Sequence, residues 1–480
     1  MTAAMPTAAE LLPLLPELVV VGSAFFLLIL DLFLKPGQRW ITHALAIAAL
    51  LVAGCMLLAG TGGHGTVLGG MFVRDAGADL LKLVACGLSA ASLGYAWSFL
   101  RERALYPGEV PVLVLFAVAG MMMLISAGNL VTVYVGLEMM ALCTYALVAL
   151  DRDSPLASEA AMKYFVLGSL ASGLLLYGMS LTYGATGTLE LAGIAQAATQ
   201  APDTSLLLAG AVFMVAGIAF KFGVAPFHMW LPDVYHGAPT PITLFIGSAP
   251  KLAAFGMAWR VLDVGIGPLG EWWQALVAIL AAVSLVVGNL AALMQTNLKR
   301  MLAYSTVSHV GFLFMGLAGG GAQGMAAAMF YAITYALMAT AAFGMIVLLS
   351  RRGFEADRIA DFRGLNARDP WNAALVLCVM DSLAGIPPFL GFWSKLAVLR
   401  AAIDGGFLWL AIVGIVCAVV GAFYYLRVIK AMYFEEADGQ PASARPNLPL
   451  QVLFGTNALA LLTLGLSWDP IMAWCQRAFA

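Results

Sequence analysis

Gly223-Val-Ala-Pro226-Phe227 and Gly385-Ile-Pro-Pro388-Phe389 are the stretches on which the fold turns. Each lies inside a long apolar run, 204–235 and 371–402, too long for one straight membrane crossing of about 20 residues. A proline inside a helix removes one hydrogen bond and clashes with the carbonyl four residues earlier, here Phe222 and Ala384. At membrane depth such a break is tolerated only where protein or water satisfies the freed groups. Both runs are therefore expected to be broken helices buried in a larger bundle.

The rest of the chain supports a bundle in lipid. Of 480 residues, 62% are hydrophobic and 10% charged, against about a quarter charged in soluble domains. Fourteen apolar spans are expected, near 11–34, 40–60, 78–99, 111–127, 129–150, 162–184, 204–235, 240–262, 272–294, 300–318, 326–349, 371–402, 407–432 and 449–470. The loops around 351–370 and 434–449 are too short to enclose a core of their own. The expected fold is thus an all-α polytopic membrane protein without a soluble domain.

Loop charge sets the orientation. With the N-terminus outside, the inner loops carry Lys35, Arg39, Arg101, Arg103, Arg152, Lys299, Arg300, Arg351, Arg352, Arg358, Arg363, Arg368, Arg427, Lys430 and Arg445. The outer side then holds only Arg74, Arg260, Arg400 and Arg477. An even number of spans places both termini outside. No basic region precedes the first span, so a cleavable leader is not expected. The two breaks fall in the seventh and twelfth spans, five apart, so the broken helices cross in opposite directions. That is the arithmetic of two inverted five-helix repeats, spans 4–8 and 9–13. The expected organisation is 1–110 for spans 1–3, 111–262 and 272–432 for the repeats, and 449–480 for the last span.

Charges inside the spans need a reason, since a lysine or aspartate at the bilayer centre costs roughly 2.5–3.5 kcal/mol on insertion scales. Glu138 lies about nine residues into span 5, roughly 14 Å deep. Lys251 is at the middle of span 8, Lys221 at the first break, Lys395 just beyond the second, and His309 well inside span 10. Lys163 opens span 6 at the inner side. Static ion pairs or snorkelling chains would be the structural explanation. The functional one follows from lysine chemistry: burial lowers a lysine's pKa and a nearby carboxylate raises it, so a lysine whose partner moves can take up and release a proton. The carbonyl end of a broken helix would favour the protonated form of Lys221. Glu138, Lys221, Lys251 and Lys395 then form a candidate proton relay.

Other signals carry less. The six cysteines lack CxxC spacing and read as packing residues. Gly265-Ile-Gly267-Pro-Leu-Gly270 follows the dinucleotide glycine pattern, but no strand precedes it. His228, Asp233 and His236 lack a compact metal-ligand set and suit the polar half of span 7 better. No basic patch suits nucleic acid. Asp381, just before the second break, is left as either a partner or a perturber of Lys395.

Tyr134-Val-Gly-Leu-Glu138-Met-Met, Glu159-Ala-Ala-Met-Lys163-Tyr-Phe-Val-Leu-Gly-Ser-Leu-Ala-Ser-Gly and Pro226-Phe-His-Met-Trp-Leu-Pro-Asp-Val-Tyr-His-Gly-Ala-Pro-Thr-Pro241 resemble the antiporter-like membrane subunits of respiratory complex I. So do Gln295-Thr-Asn-Leu-Lys-Arg-Met-Leu-Ala-Tyr-Ser305 and Gly385-Ile-Pro-Pro-Phe-Leu-Gly-Phe-Trp-Ser-Lys395. The resemblance runs from span 4 to span 13. Within the family, the run 159–173, Asp361-Phe-Arg-Gly-Leu-Asn366 and a lysine at 395, where the M-type branch carries glutamate, are similar to the N-type branch. The resemblance implies a non-redox subunit in a bacterial inner membrane, conducting protons while NADH reduces quinone elsewhere in the complex. Glu138 with Lys221 would be the switching pair, Lys251 the central relay and Lys395 the outlet. Lys163 would modulate the pair, and His309 would bridge the halves. It implies no cofactor or metal bound by the chain itself, while the complex uses NADH, FMN, iron–sulfur clusters and quinone. Expected partners are the lipid bilayer, the M-type subunit and the small membrane subunits leading to the quinone site. An Mrp-type cation/proton antiporter subunit is the alternative, since Glu138, Lys221 and the broken helices would serve it equally.

Overall fold

The computed structural model describes residues 11–106, 108–200, 204–436 and 447–479. In chain order the helices are α1 (Leu15–Asp31), α2 (Trp40–Leu58), α3 (Ala76–Glu102), α4 (Glu109–Ile125), α5 (Leu130–Val148), α6 (Pro155–Thr186) and α7 (Leu191–Gln200). The run 204–235 becomes α8 (Ser205–Phe222) and α9 (Trp230–Gly237), and 240–262 becomes α10 (Thr240–Gly247) and α11 (Ala249–Ala258) followed by a π turn. Then come α12 (Gly270–Leu293), α13 (Leu298–Gly319), α14 (Gly321–Leu349) and the short α15 (Leu365–Arg368). The run 371–402 becomes α16 (Pro370–Ala384) and α17 (Leu390–Asp404), before α18 (Leu408–Phe434), α19 (Leu448–Leu466) and α20 (Asp469–Arg477). A small antiparallel hairpin, β1 (Gly65–Val67) with β2 (Phe72–Arg74), covers one end of the bundle.

Among the described residues twelve helices are long and apolar enough to cross a membrane, and α4 and α16 are shorter apolar helices at two further expected spans. The chain is a multi-pass, all-α membrane protein. Several helices begin where the sequence supplies an acceptor for their free N–H groups. Asp75, Asn129, Ser154, Asn297, Asp369 and Asn447 each accept a backbone N–H from the first turn of α3, α5, α6, α13, α16 and α19. Three of these starts place Pro155, Pro370 and Pro449 at the first turn, where a missing N–H costs nothing.

Small residues bring the helices together, as expected where lipid offers no hydrophobic drive for helix association. A side chain at Gly178 would come within 2.7 Å of the Gly210 carbonyl, so α6 and α8 meet backbone to backbone. The innermost elements are α10–α11, α13 and α14: every residue in the most apolar window of Thr240–Gly265 is buried. Lys251 therefore sits in the centre of the protein, away from lipid.

Both predicted breaks occur, and they are built alike. Gly223 and Gly385 adopt left-handed backbone (φ 79° and 84°) that ends α8 and α16. The amides that follow, Val224 and Ile386, each bond five residues back to Ala219 and Asp381. A further break, at Ser248 between α10 and α11, was not expected, although Gly247 and Pro250 flank it. Also unforeseen were the amphipathic α7 and α20, and a buried ion pair in which Lys82 Nζ of α3 lies 2.6 Å from Glu17 Oε1 of α1.

At the arginine-rich end the loop after α14 is pinned to the core. Lys299 Nζ donates to the Ala238 carbonyl (2.8 Å) and to Glu355 (3.2 Å), and Thr240 donates to the same carboxylate. Burial raises the Glu355 pKa, but the Lys299 charge and these hydrogen bonds outweigh it and hold the carboxyl below its ordinary value of 4.5. Its contribution to stability is therefore complete above that value and is lost as pH falls through the lowered folded pKa. Glu355→Gln should cost about 1.5–3 kcal/mol at pH 7, because buried Lys299 loses a charged partner. Thermal unfolding followed by labelling of the buried thiol of Cys86 measures this; an unchanged midpoint would show that the loop does not need the pair.

Candidate proton relay

The freed carbonyls at the two breaks are where the structure gathers its buried lysines. Lys251, reaching from α11, donates to the Phe222 carbonyl at 2.7 Å. Lys395, one turn into α17, donates to the Leu383 and Ala384 carbonyls at 3.0 and 2.7 Å. Phe222 and Ala384 are the carbonyls that the proline argument picked out. An ammonium satisfies them and meets the negative end of the helix dipole. Each ammonium also lies 5.4 Å from an aromatic ring centre, Trp230 for Lys251 and Phe312 for Lys395. The Phe222 carbonyl is thus taken by Lys251, while Lys221, expected at this helix end, lies in the last turn of α8.

Lys221 is buried in the last turn of α8 and makes no direct ion pair with Glu138 within 4.0 Å. Glu138 is half-buried on α5 and accepts a short hydrogen bond from Ser172 of α6. Between Ser172 and Lys221 lies a gap of about 10 Å³, lined also by Leu137, Tyr145 and Phe220. That is room for about one water. Ser172, on α6, thus bonds Glu138 and lines the same gap as Lys221.

His309 is fully enclosed on α13 and uses both ring nitrogens: Nδ1 lies 2.7 Å from the Tyr331 hydroxyl and Nε2 3.0 Å from that of Tyr425. Tyr425 also shares a short hydrogen bond with Ser305. A neutral imidazole has one donor and one acceptor nitrogen, so the two tyrosines take opposite roles and can exchange them when a proton passes. Tyr331 and Tyr425 carry no charge and lie on α14 and α18, so nothing in the sequence marked them. On α13 the His309 chain also neighbours both breaks: Phe312 lies beneath Lys395, and Phe314 meets Phe222 edge to face at 5.2 Å.

Lys163 is part of a separate cluster near the arginine-rich end. Its ammonium is 2.7 Å from both Glu159 and Asp233, and Asp233 also accepts from Arg300 at 2.9 Å. Asp233 is therefore an ion-pair residue. Among the described residues no group of three or more His, Cys, Asp or Glu is placed to hold a metal. Asp381 does not touch the Lys395 ammonium, which is taken up by carbonyls; its side chain lies half-exposed on the outward stripe of α16.

Residues 127–421, which include both breaks and Lys221, Lys251 and Lys395, match the family described as NADH:quinone oxidoreductase/Mrp antiporter, TM. The chain is 65% identical over 479 residues to NADH-quinone oxidoreductase subunit N of Xanthomonas euvesicatoria pv. vesicatoria, covering 100% of this chain and 98% of that one. It is similar to a chain in the structure of respiratory complex I from Thermus thermophilus, with 31% identity, a TM-score of 0.81, and coverage of 95% and 98%. A chain of the Mrp complex from Dietzia sp. DQ12-45-1b shares the fold at 22% identity and a TM-score of 0.85, covering 99% and 97%. The chain belongs to the NADH:quinone oxidoreductase/Mrp antiporter membrane family, on the branch of the NADH-quinone oxidoreductase N subunits.

Proposed function

We propose that this chain is the N-type proton-conducting subunit of a bacterial NADH–quinone oxidoreductase, and that it holds no redox centre of its own. The observation that carries the reading is the pair of lysines seated on the open carbonyls of two broken helices deep in the protein. A lysine held there by carbonyls alone has no fixed countercharge, so its protonation can respond to a charge moving nearby. In this reading a proton enters beside Glu138, and Ser172 couples that carboxylate to Lys221. Lys251 relays the charge to the His309–Tyr425 chain, and Lys395 releases it outward. Lys163 tunes the entrance from the inner side through Asp233. Fourteen spans in two inverted repeats, with both termini in the periplasm, give the relay matching halves. Its neighbours are the M-type subunit and the small membrane subunits that lead to the quinone site. NADH, FMN, iron–sulfur clusters and quinone belong to other parts of the complex.

The Mrp-type alternative shares the fold and makes a different prediction. Purified by an affinity tag from mildly solubilised membranes, the chain should carry NADH–quinone reductase activity with it. Cation/proton exchange activity without NADH oxidation would replace the proposal by the alternative.

A further inference from the structure

We propose that the face of α3 between α2 and α19 binds an anionic phospholipid, through its phosphodiester, at the arginine-rich end of the membrane. Two surface grooves share Trp97 and Arg101. One, of about 310 Å³, is lined by Arg39, Trp40, Trp97, Arg101 and Tyr106 and has no carboxylate in its wall. The other, of about 570 Å³, adds Arg352 from the loop after α14 and Asn447 at the start of α19, with Glu102 as its one carboxylate.

Trp97 between the grooves is held in place. His43 and the Tyr106 hydroxyl bond at 2.6 Å, and both rings pack on Trp97 at about 5 Å. The Arg101 guanidinium lies 5.5 Å from the Trp97 ring and has no carboxylate partner among the described residues. Arg39 has only a distant one, Asp31 at 4.0 Å. Trp40 and Arg101 stand at the first and last turns of α2 and α3, the depth at which tryptophan and arginine meet lipid headgroups. Basic pockets between helices at that depth suit anionic headgroups.

Below the mouth the same face of α3 is a trough of small residues. Gly87, Ala91, Gly94, Ser98 and Arg101 recur at helical spacing and are all at least partly exposed. A side chain at Gly87 would meet nothing within 4 Å, whereas one at Gly94 would touch Leu453 of α19 at 3.0 Å. A cationic mouth continuous with an apolar trough matches an amphiphile: phosphate between the arginines, an acyl chain along Gly94 and Gly87. Free phosphate would use only the mouth.

The test uses the assembled complex in lipid nanodiscs, with photoactivatable phosphatidylglycerol carrying its reactive group on the acyl chain. The matching phosphatidylcholine is the control. Phosphatidylglycerol should label peptides spanning Gly87–Arg101 and Asn447–Leu453 in preference to the control. Arg101→Gln should lower that labelling about fivefold, the ratio for one arginine near a lipid surface, and Arg101→Lys should restore most of it. Gly87→Leu, whose Cβ meets nothing within 4 Å, should reduce labelling by filling the trough while NADH–quinone activity stays at the wild-type level. Equal labelling by both lipids, no response to either Arg101→Gln or Gly87→Leu, full displacement by inorganic phosphate, or cross-links to a protein in place of lipid would each overturn the proposal.

Discussion

Replacing Lys251 by alanine should lower NADH–quinone electron transfer and proton uptake together, by roughly tenfold or more, in membrane vesicles where the complex assembles normally. The size follows from losing a positioned proton donor and acceptor, typically worth about 10²–10⁴ in rate. The direction follows from place. Lys251 is the only side chain among the described residues that donates to the Phe222 carbonyl, and it lies in the most enclosed part of the bundle. Loss of uptake with electron transfer preserved would mean the relay is real but uncoupled. Wild-type levels of both would show that the ammonium only neutralises a helix end. Lys251→Arg separates these roles further, since a guanidinium can occupy the carbonyl while staying protonated throughout. It should keep assembly and still fail in uptake.

The second large effect is expected at Glu138. Glu138→Gln keeps the hydrogen bond with Ser172, because an amide oxygen can accept it, and removes only the charge. Proton uptake should fall several-fold or more, with assembly intact, because the countercharge for Lys221 is gone. Ser172→Ala supplies the control. If Ser172 and the water-sized gap beside Lys221 form the link, this variant should lose much of the same activity with the Glu138 carboxyl still in place. If instead Glu138 swings to Lys221 directly, Ser172→Ala should be close to wild type. Proton uptake of the two variants, measured side by side in assembled complex, distinguishes the two routes.

The breaks and the buried charges were legible in the sequence for one physical reason: the bilayer makes both expensive. A proline in the middle of an apolar run and an ionisable side chain several residues inside a span stand out because nothing cheap explains them. Glu138, Lys221, Lys251, Lys395 and His309 were all found in this way, and the structure places all five inside the bundle, with Glu138 at its edge. The same rule explains what was missed. Lys82 with Glu17 lies close enough to its helix ends to pass for a snorkelling pair. Ser248 breaks its helix between Gly247 and Pro250, a signal that was present but lay in a run short enough to be read as one crossing.

What the sequence determined by itself is the solvent, the helices, the two breaks and the inventory of charges, because each follows from local composition and the cost of burial. Which groups meet was decided by the tertiary structure. Lys251 comes from a separate helix to reach the carbonyl beside Lys221, and Ser172 bonds Glu138 and lines the same gap as Lys221. The partners of His309 are Tyr331 and Tyr425, from helices 22 and 116 residues further along the chain. Such contacts depend on how helices rotate and cross in the bundle, set by small residues packing backbone to backbone, and a neutral tyrosine or serine on an apolar helix carries no local penalty that would announce it.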